Sequence, residues 1–381
     1  MKEPEHYLKC GYEDHGYVSP ELSSSDTYPE YIKQEVDRCV KEIQSRQEYD
    51  TLTFAFITDI HYAMSYNHSI RLKRMLNAYK EIEKRVHIDK LILGGDYTNE
   101  GCKEYKSDCF RELRAELCGL DYFPVHGNHD DGSIWDRDYL QMKQAVNHLT
   151  HEELYRLFYN HLPSKGAKFD KNNPGLYYYV DDEINKIRYI CLDSCDIPYI
   201  QEDDGSLRYG AQHLFTISQK QYEWLVNEAL VFNEEGWGVI FTAHSVAIPT
   251  AKKEELGDIR IRMSLLNELL QAYKKGGQCN LKWEERDLGV DIYADFSKHT
   301  RAEIICFMVG DYHVDAVYRN EQNTPYILTA HAVTYCTPEH ELQRYDGDKT
   351  ELLFDIVTVN KTERKIYITR VGAGNDRVID Y

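Results

Sequence analysis

The sequence predicts an α/β protein built on a sheet of the parallel type. Three observations carry that expectation. Short apolar runs, partly β-branched and of strand length, recur along the 381-residue chain. Segments with apolar residues three and four apart separate them, as helices require. Asp, His and Asn residues gather where the apolar runs stop, the edge at which α/β sheets bind ligands.

In chain order, residues 1–28 are polar, have no clear period and read as a surface extension. From Pro29 to about Gln47, Ile32, Val36, Val40 and Ile43 mark one helical face. Leu52–Thr58 is a buried strand, followed by a helix over roughly Ser69–Val86 with Leu72, Met75, Leu76, Tyr79 and Ile82 on one side. A strand over Leu91–Gly95, a helix over Lys103–Leu117 and a strand over Tyr122–Val125 complete a βαβαβ order, which argues for parallel pairing with covering helices. Residues 131–171 are helical and aromatic and read as an insertion. Leu176–Val180 and Ile187–Leu192 read as paired strands, Ser218–Phe232 as a helix and Gly238–Thr242 as a buried strand. Residues 251–300 read as a second, polar and helix-rich insertion or cap. The last third is β: Glu303–Val309, Tyr326–Thr329, Leu352–Val359 and Lys365–Val371. The expected organisation is an N-terminal extension and helix over 1–50, then one domain over 51–381.

Lys and Arg total 45 against 64 Asp and Glu, a formal charge of −19. That excess repels nucleic-acid backbones and anionic lipid, so neither is an expected partner. No apolar run approaches the roughly 20 residues of a membrane helix, and no signal segment opens the chain, so a cytoplasmic location is expected. The ten cysteines are scattered and read as reduced thiols.

Five segments carry the chemistry: Asp59-Ile60-His61, Gly94-Gly95-Asp96, Gly127-Asn128-His129-Asp130, Ala243-His244 and Gly310-Asp311-Tyr312-His313. Each begins where an apolar run ends, so one sheet can bring all five to a single rim. Taken singly, each has a plain reading as a turn former or a hydrogen-bonded strand-end histidine. Together they form a mixed oxygen and imidazole donor set without cysteine, which suits Mn²⁺, Fe or Zn²⁺ rather than a structural thiolate zinc. His126, His148, His151 and His161 have no ligand spacing and read as surface or packed histidines. Tyr62, Tyr97 and Tyr312 adjoin the segments, and ordinary packing is the expected role for each.

The set resembles the calcineurin-like metallophosphoesterase superfamily, whose members carry Asp-x-His, Gly-Asp, Gly-Asn-His-Asp/Glu, a lone His and Gly-His-x-His in this order. The resemblance runs from about Phe54 to His313. It implies a four-layer α/β/β/α sandwich with two packed mixed sheets and a two-metal site at the strand ends. It further implies that Asp59, His61, Asp96 and His313 hold one ion, and that Asp96 bridges to a second ion shared with Asn128 and His244. His129 would face the substrate without binding metal. Asp311 stands where the family has histidine. It either ligates the second ion, favouring Mn²⁺ or Fe²⁺ over Zn²⁺ with Mg²⁺ possible, or only hydrogen-bonds there.

Gly95-Asp96-Tyr97-Thr98-Asn99-Glu100-Gly101 also resembles the Gly-Asp-Tyr-Val-Asp-Arg-Gly block of protein serine/threonine phosphatases. There the second Asp orients the catalytic His and the Arg grips phosphate. Asn99 can still accept a hydrogen bond from His129, but Glu100 cannot grip phosphate, which points to the broader, bacterial-type phosphoesterase branch. The activity implied is hydrolysis of small phosphomonoesters or phosphodiesters by a metal-bridging hydroxide, with two metals about 3.5–4 Å apart and His129 assisting the leaving group. The alternative is a degenerate member that binds without turnover, with one metal or none. Oligomeric state is open.

Overall fold

The computed structural model describes residues 21–99, 101–133, 144–173, 175–211, 214–248, 260–332 and 342–381. Strands β1 (Thr51–Ile57), β2 (Lys90–Leu93) and β3 (Tyr122–Pro124) run parallel, as the βαβαβ order predicts. β13 (Leu353–Asn360), β14 (Lys365–Gly372) and β15 (Arg377–Asp380) join them antiparallel, giving a six-stranded sheet in the order β15-β14-β13-β1-β2-β3. The second sheet has seven strands. Its central β6 (Ile187–Cys191), β7 (Gly238–Ala243), β10 (Glu303–Val309) and β12 (Pro325–Leu328) are parallel. Antiparallel β5 (Tyr178–Asp182) and β4 (Lys168–Phe169) flank one edge and β11 (Ala316–Arg319) the other.

The sheets pack face to face because each central strand is apolar on both sides. On β6, Ile187, Tyr189 and Cys191 face the first sheet, while Ile190 belongs to the opposite core. Phe54 of β1 meets Tyr189 edge-on, with ring centroids 5.7 Å apart. Tyr178 Oη donates to Pro124 O at 2.8 Å. Helix α1 (Ser24–Thr27) is a single turn closed by a capping box between Ser23 and Asp26. Helices α2 (Glu30–Arg46) and α3 (Tyr66–Glu83) cover the outer face of the first sheet, α2 through the buried stripe Ile32, Val36, Cys39, Val40 and Ile43. Helix α4 (Lys103–Glu116) and the short α5 (His151–Leu154) follow β2 and β3. Helices α6 (Gln219–Trp224) and α7 (Ser264–Lys275) cover the second sheet, over Phe241, Phe307 and Tyr326. These three rings stack in sequence at centroid distances of 4.6 and 4.3 Å. The result is the four-layer α/β/β/α sandwich. Among the described residues no helix is long and apolar enough to cross a membrane.

Some local expectations change. From residue 260 onward the second insertion holds a 3-10 turn at Ile261–Met263, α7 and then an antiparallel hairpin, β8 (Gln278–Trp283) and β9 (Val290–Asp295), where more helix was expected. β9 alternates strictly, with Val290, Ile292 and Ala294 buried against Asp291, Tyr293 and Asp295 exposed. Its polar composition hides that period of two. The expected strand at 176–180 lies at 178–182. The helix expected over 218–232 is α6 followed by a π-helical turn at Leu225–Ala229. Glu100, the expected extension up to residue 20, and 134–143 and 251–259 of the two insertions lie outside the described residues.

A buried ionic network fixes the two sheets against each other. Arg370 on β14 donates Nε to Asp355 of β13 at 2.7 Å, and Nη1 and Nη2 to Asp315 at 2.8 Å. Arg377 and Thr329 complete the partners of Asp355 Oδ2, at 2.7 and 2.8 Å. Two cations meet two carboxylates, and Asp315 lies two residues beyond His313. Removing one member strands the others in an apolar setting. Arg370→Leu is expected to lower unfolding free energy by about 3–5 kcal/mol, read from urea denaturation.

Candidate metal centre

The strand ends converge because their backbones are laced together. Asp59 N donates to Gly95 O at 3.0 Å, His61 N to Asp96 O at 2.8 Å and Gly310 N to His244 O at 3.0 Å. The turns that follow are sharp. Asp59, His61, Asp96, Asp311 and His313 all have left-handed backbone, with φ between 45° and 60°. They are five of the nine non-glycine residues with positive φ among those described. Such conformations are disfavoured for L-residues and gather where function requires them. Close approach also needs glycine: a Cβ on Gly127 would lie 2.0 Å from the Asp96 backbone nitrogen, and one on Gly95 2.5 Å from His244 Nδ1.

One metal-facing atom from each of Asp59, His61, Asp96 and His313 lies within 4.8 Å of the others. His313 Nε2 is 3.1 Å from Asp59 Oδ1 and 3.2 Å from His61 Nε2, and His61 Nε2 is 3.6 Å from Asp96 Oδ2. A second group lies on the other side of Asp96. His244 Nε2 is 3.3 Å from Asp96 Oδ1 and 2.9 Å from Asn128 Oδ1. His244 Nδ1 donates to Gly94 O at 2.8 Å, which points Nε2 at this group. His129 stands between the two groups. Its backbone N–H donates to Asp96 Oδ1 at 2.8 Å, its Nε2 is 3.8 Å from Asp96 Oδ2, and its ring meets His61 edge-on at 4.7 Å.

These groups fit divalent cations. Two imidazole nitrogens face each other at 3.2 Å beside carboxylates, so without a cation the group must carry protons. Burial depresses the His313 imidazolium, but Asp59 outweighs it and raises the pKa to about 9. Burial likewise opposes charge on His244, yet Asp96 pushes its pKa well above the ordinary value. Burial would raise the carboxyls, but His313 holds Asp59 below the usual range, and His244 and His129 hold Asp96 far below it. Burial, with His129 nearby, lowers His61 to about 3 and leaves its imidazole neutral, the state that ligates. A cation replaces those protons.

The match to known proteins agrees with this geometry. A family model described as calcineurin-like phosphoesterase matches residues 52–294. The chain belongs to the calcineurin-like phosphoesterase family. Comparison with curated proteins found no match. Among solved structures, a dimetal phosphatase from Danio rerio is similar with a TM-score of 0.53 at 13% identity, over 87% of this chain and 99% of that one. A Candida albicans 5'-nucleotidase aligns with a TM-score of 0.37 at 13% identity, over 74% of this chain and 46% of that one. A Haemophilus influenzae NAD nucleotidase aligns with a TM-score of 0.37 at 12% identity, over 86% and 49%. Family membership supports metal-dependent phosphoester hydrolysis as the general activity, and the Asp59, His61, Asp96 and His313 group can hold a metal ion.

This calcineurin-like phosphoesterase departs from its family's last histidine pair in a defined way. Asp311 is not in the metal-facing group of four. Its Oδ2 accepts from Arg260 Nη2 and Ser245 Oγ, both at 2.6 Å, and its N–H donates to Asp59 Oδ2 at 3.3 Å. Arg260 is sandwiched over the rings of Phe215 and Tyr312, at 4.9 and 4.6 Å. The hydrogen bond expected from His129 to Asn99 is not formed. Among the described residues, Asn99 bonds through its backbone, N–H to Tyr62 O and carbonyl to Lys106 Nζ.

Lys106 was not foreseen as part of the centre. It is fully buried, and its ammonium donates to Thr98 Oγ1 at 3.1 Å, to Asn99 O at 2.5 Å and to His129 O. It therefore joins the Asp96 turn to the His129 turn. Its signal was its place on the apolar face of α4, between Cys102 and Cys109. Asp130 makes the same connection from the other side, accepting from Tyr97 N at 2.8 Å and Gly127 N at 2.9 Å. Burial and then Asp96 raise its pKa to about 7. Tyr97 is packed, as expected, with its hydroxyl on Leu93 O and Val125 O.

Lys106→Met is expected to cost about 3–5 kcal/mol of stability, because three acceptors lose a buried charged donor; chemical denaturation measures this. The raised His313 pKa also sets a pH dependence. In metal-free protein its pairing with Asp59 stabilises the fold fully below the ordinary pKa of 6.5, and that contribution is lost as pH rises through about 9. The melting temperature of chelator-treated protein should fall across that window. Protein reloaded with Mn²⁺ should show a shallower fall, because its metal ligands no longer titrate.

Proposed function

We propose that this protein hydrolyses small phosphomonoesters or phosphodiesters at the centre organised by Asp96. The observation that carries this reading is the use of both Asp96 oxygens: Oδ2 faces His61 and His129, while Oδ1 faces His244. One carboxylate thus belongs to two donor groups, as a bridge between two ions requires. Asp59, His61, Asp96 and His313 would hold one ion, and Asp96, Asn128 and His244 the other. When bound, the pair of ions supplies Lewis-acid charge neutralisation for the phosphoryl group and lowers the pKa of water.

The chain's own residues supply the rest. His129 is part-exposed, its side chain 18% accessible, and unlike the more exposed His313 it lies outside the group of four metal-facing residues. It can therefore touch substrate and deliver a proton from an imidazole nitrogen to the departing oxygen, or stabilise the charge there. Lys106 and Asp130 fix its backbone, and Asp96 Oδ1 holds its N–H. Asn99 and Asn128 lie on the same turns and would contribute neutral donors to substrate oxygens. Asp311, neutralised by Arg260, would stay outside the ligand set. Mn²⁺ or iron suits these oxygen and imidazole donors best, with Zn²⁺ and Mg²⁺ the alternatives. Binding without turnover, the second reading, would rest on the engagement of Asp311 by Arg260 and Ser245 in place of a ligating histidine.

Turnover of p-nitrophenyl phosphate and bis-p-nitrophenyl phosphate with added Mn²⁺, together with elemental analysis, separates the two readings. His129→Ala is expected to lower kcat by roughly 10²–10⁴-fold with metal content retained; unchanged kcat would remove His129 from the chemistry. Asp59→Asn should instead lose metal, and full retention would sink the ligand assignment. Chelation should abolish turnover, and Mn²⁺ should restore it.

A further inference from the structure

A second cluster of donor side chains lies outside the centre already described. After β6 ends, the loop Asp193-Ser194-Cys195-Asp196 is pinned against α6 by Gln221. Gln221 Oε1 accepts from Asp193 N at 3.0 Å, and its Nε2 donates to Asp193 O at 2.9 Å and to Asp196 Oδ2 at 3.0 Å. Asp193 is wholly buried. Its Oδ1 accepts from His126 Nδ1 at 3.0 Å and Cys195 N at 2.9 Å. Its Oδ2, equally buried, has no hydrogen-bond partner. A buried carboxylate oxygen left in that state is costly and calls for an explanation.

The oxygen is aimed at other donors. His151 Nε2 lies 3.9 Å from it, beyond hydrogen-bond distance, and one metal-binding atom from each of His151, Asp193 and Asp196 falls within 4.8 Å of the other two. His151 and Asp196 also line a cavity of about 560 Å³, together with Asn172, Tyr177, Tyr199 and Lys220. We propose that His151, Asp193 and Asp196 form a separate binding site for a divalent transition-metal ion, Mn²⁺ or Zn²⁺, in the wall of this cavity.

Three features support the assignment. Two carboxylates and an imidazole converge from a helix start and a strand-end loop, a mixed donor set that favours a transition ion over Ca²⁺ or Mg²⁺. His126 is buried and fixes the other oxygen of Asp193, the arrangement that orients a ligating carboxylate. The Asp193 and Asp196 carboxylates offer oxygens within 4.8 Å of each other, a close approach of like charges that a cation would relieve. An ion pair of protonated His151 with Asp193 is the competing account. At 3.9 Å it leaves Oδ2 without a hydrogen bond. Three protein ligands would leave the ion's remaining positions open to the cavity, where a small anionic or hydroxylated molecule could complete its coordination.

The site shares no ligand with the Asp59 centre, so the two can be tested separately. Elemental analysis of Mn²⁺-equilibrated full-length protein should show that His151→Ala and Asp196→Asn each lose about one ion per chain relative to wild type. The same loss should appear when the two substitutions are made in an Asp59→Asn background, whatever that background itself retains. Metal content unchanged by both substitutions would overturn the proposal. Because either variant could fold poorly, anomalous diffraction from wild-type crystals soaked in Mn²⁺ alone gives a second reading. A peak within coordination distance of His151, Asp193 and Asp196 supports the site, and no peak there overturns it.

Discussion

The Asp96 carboxylate is the point on which the arrangement turns. It sits at the end of β2 in left-handed backbone, with a glycine before it and Gly127 pressed against its amide. One oxygen holds the His129 backbone and faces His244, while the other faces His61 and the His129 ring. Any side chain on Gly127 or shift of β3 would push this carboxylate out of place. The parallel pairing of β1, β2 and β3 is therefore a requirement of the chemistry as well as of the core. It delivers three turns to one spot at the same height.

Around that point the chain places charge sparingly. A molecule with a formal charge of −19 buries Asp59, Asp96, Asp130, Asp193 and Asp355. Opposite charge stands near most of them. Lys106 lies beneath the turns, Arg260 beside Asp311, and Arg370 and Arg377 against Asp315 and Asp355. Each cation bonds to two or more segments at once, so it sets position as well as balancing charge. Arg260 shows the consequence for the centre. It engages the one carboxylate that stands where the family has an imidazole, and the Phe215 and Tyr312 rings hold it there.

The strand ends were legible because they join two independent signals, an apolar run that stops and a residue type that ligates. The helical and strand periods placed α2, α3, α4 and the central strands of both sheets. Lys106, Arg260 and Arg370 were not legible, because a charged side chain reads as surface unless its buried partners are known. The role of Asp193 was hidden in the same way, since its partners His126 and Gln221 lie 67 and 28 residues away. The β8–β9 hairpin was missed for another reason. Its alternation is present in the letters, but the segment is so polar that only every second residue of β9, Val290, Ile292 and Ala294, is aliphatic. Asn99 shows the limit of carrying a role across from a resemblance: the backbone around it is fastened by Lys106, and its amide does not meet His129.

The donors come from both halves of the sandwich. Asp59, His61, Asp96 and Asn128 ride on the first sheet, and His244 and His313 on the second. Ions held among them would act as bolts through the seam between the sheets. Sliding of one sheet over the other would then pull ligands apart, so binding free energy would resist that motion directly. Metal supply would govern how often the seam opens, and with it the exposure of the chain to proteases in the cell. Starvation for metal would lower the amount of this protein as well as its activity per molecule.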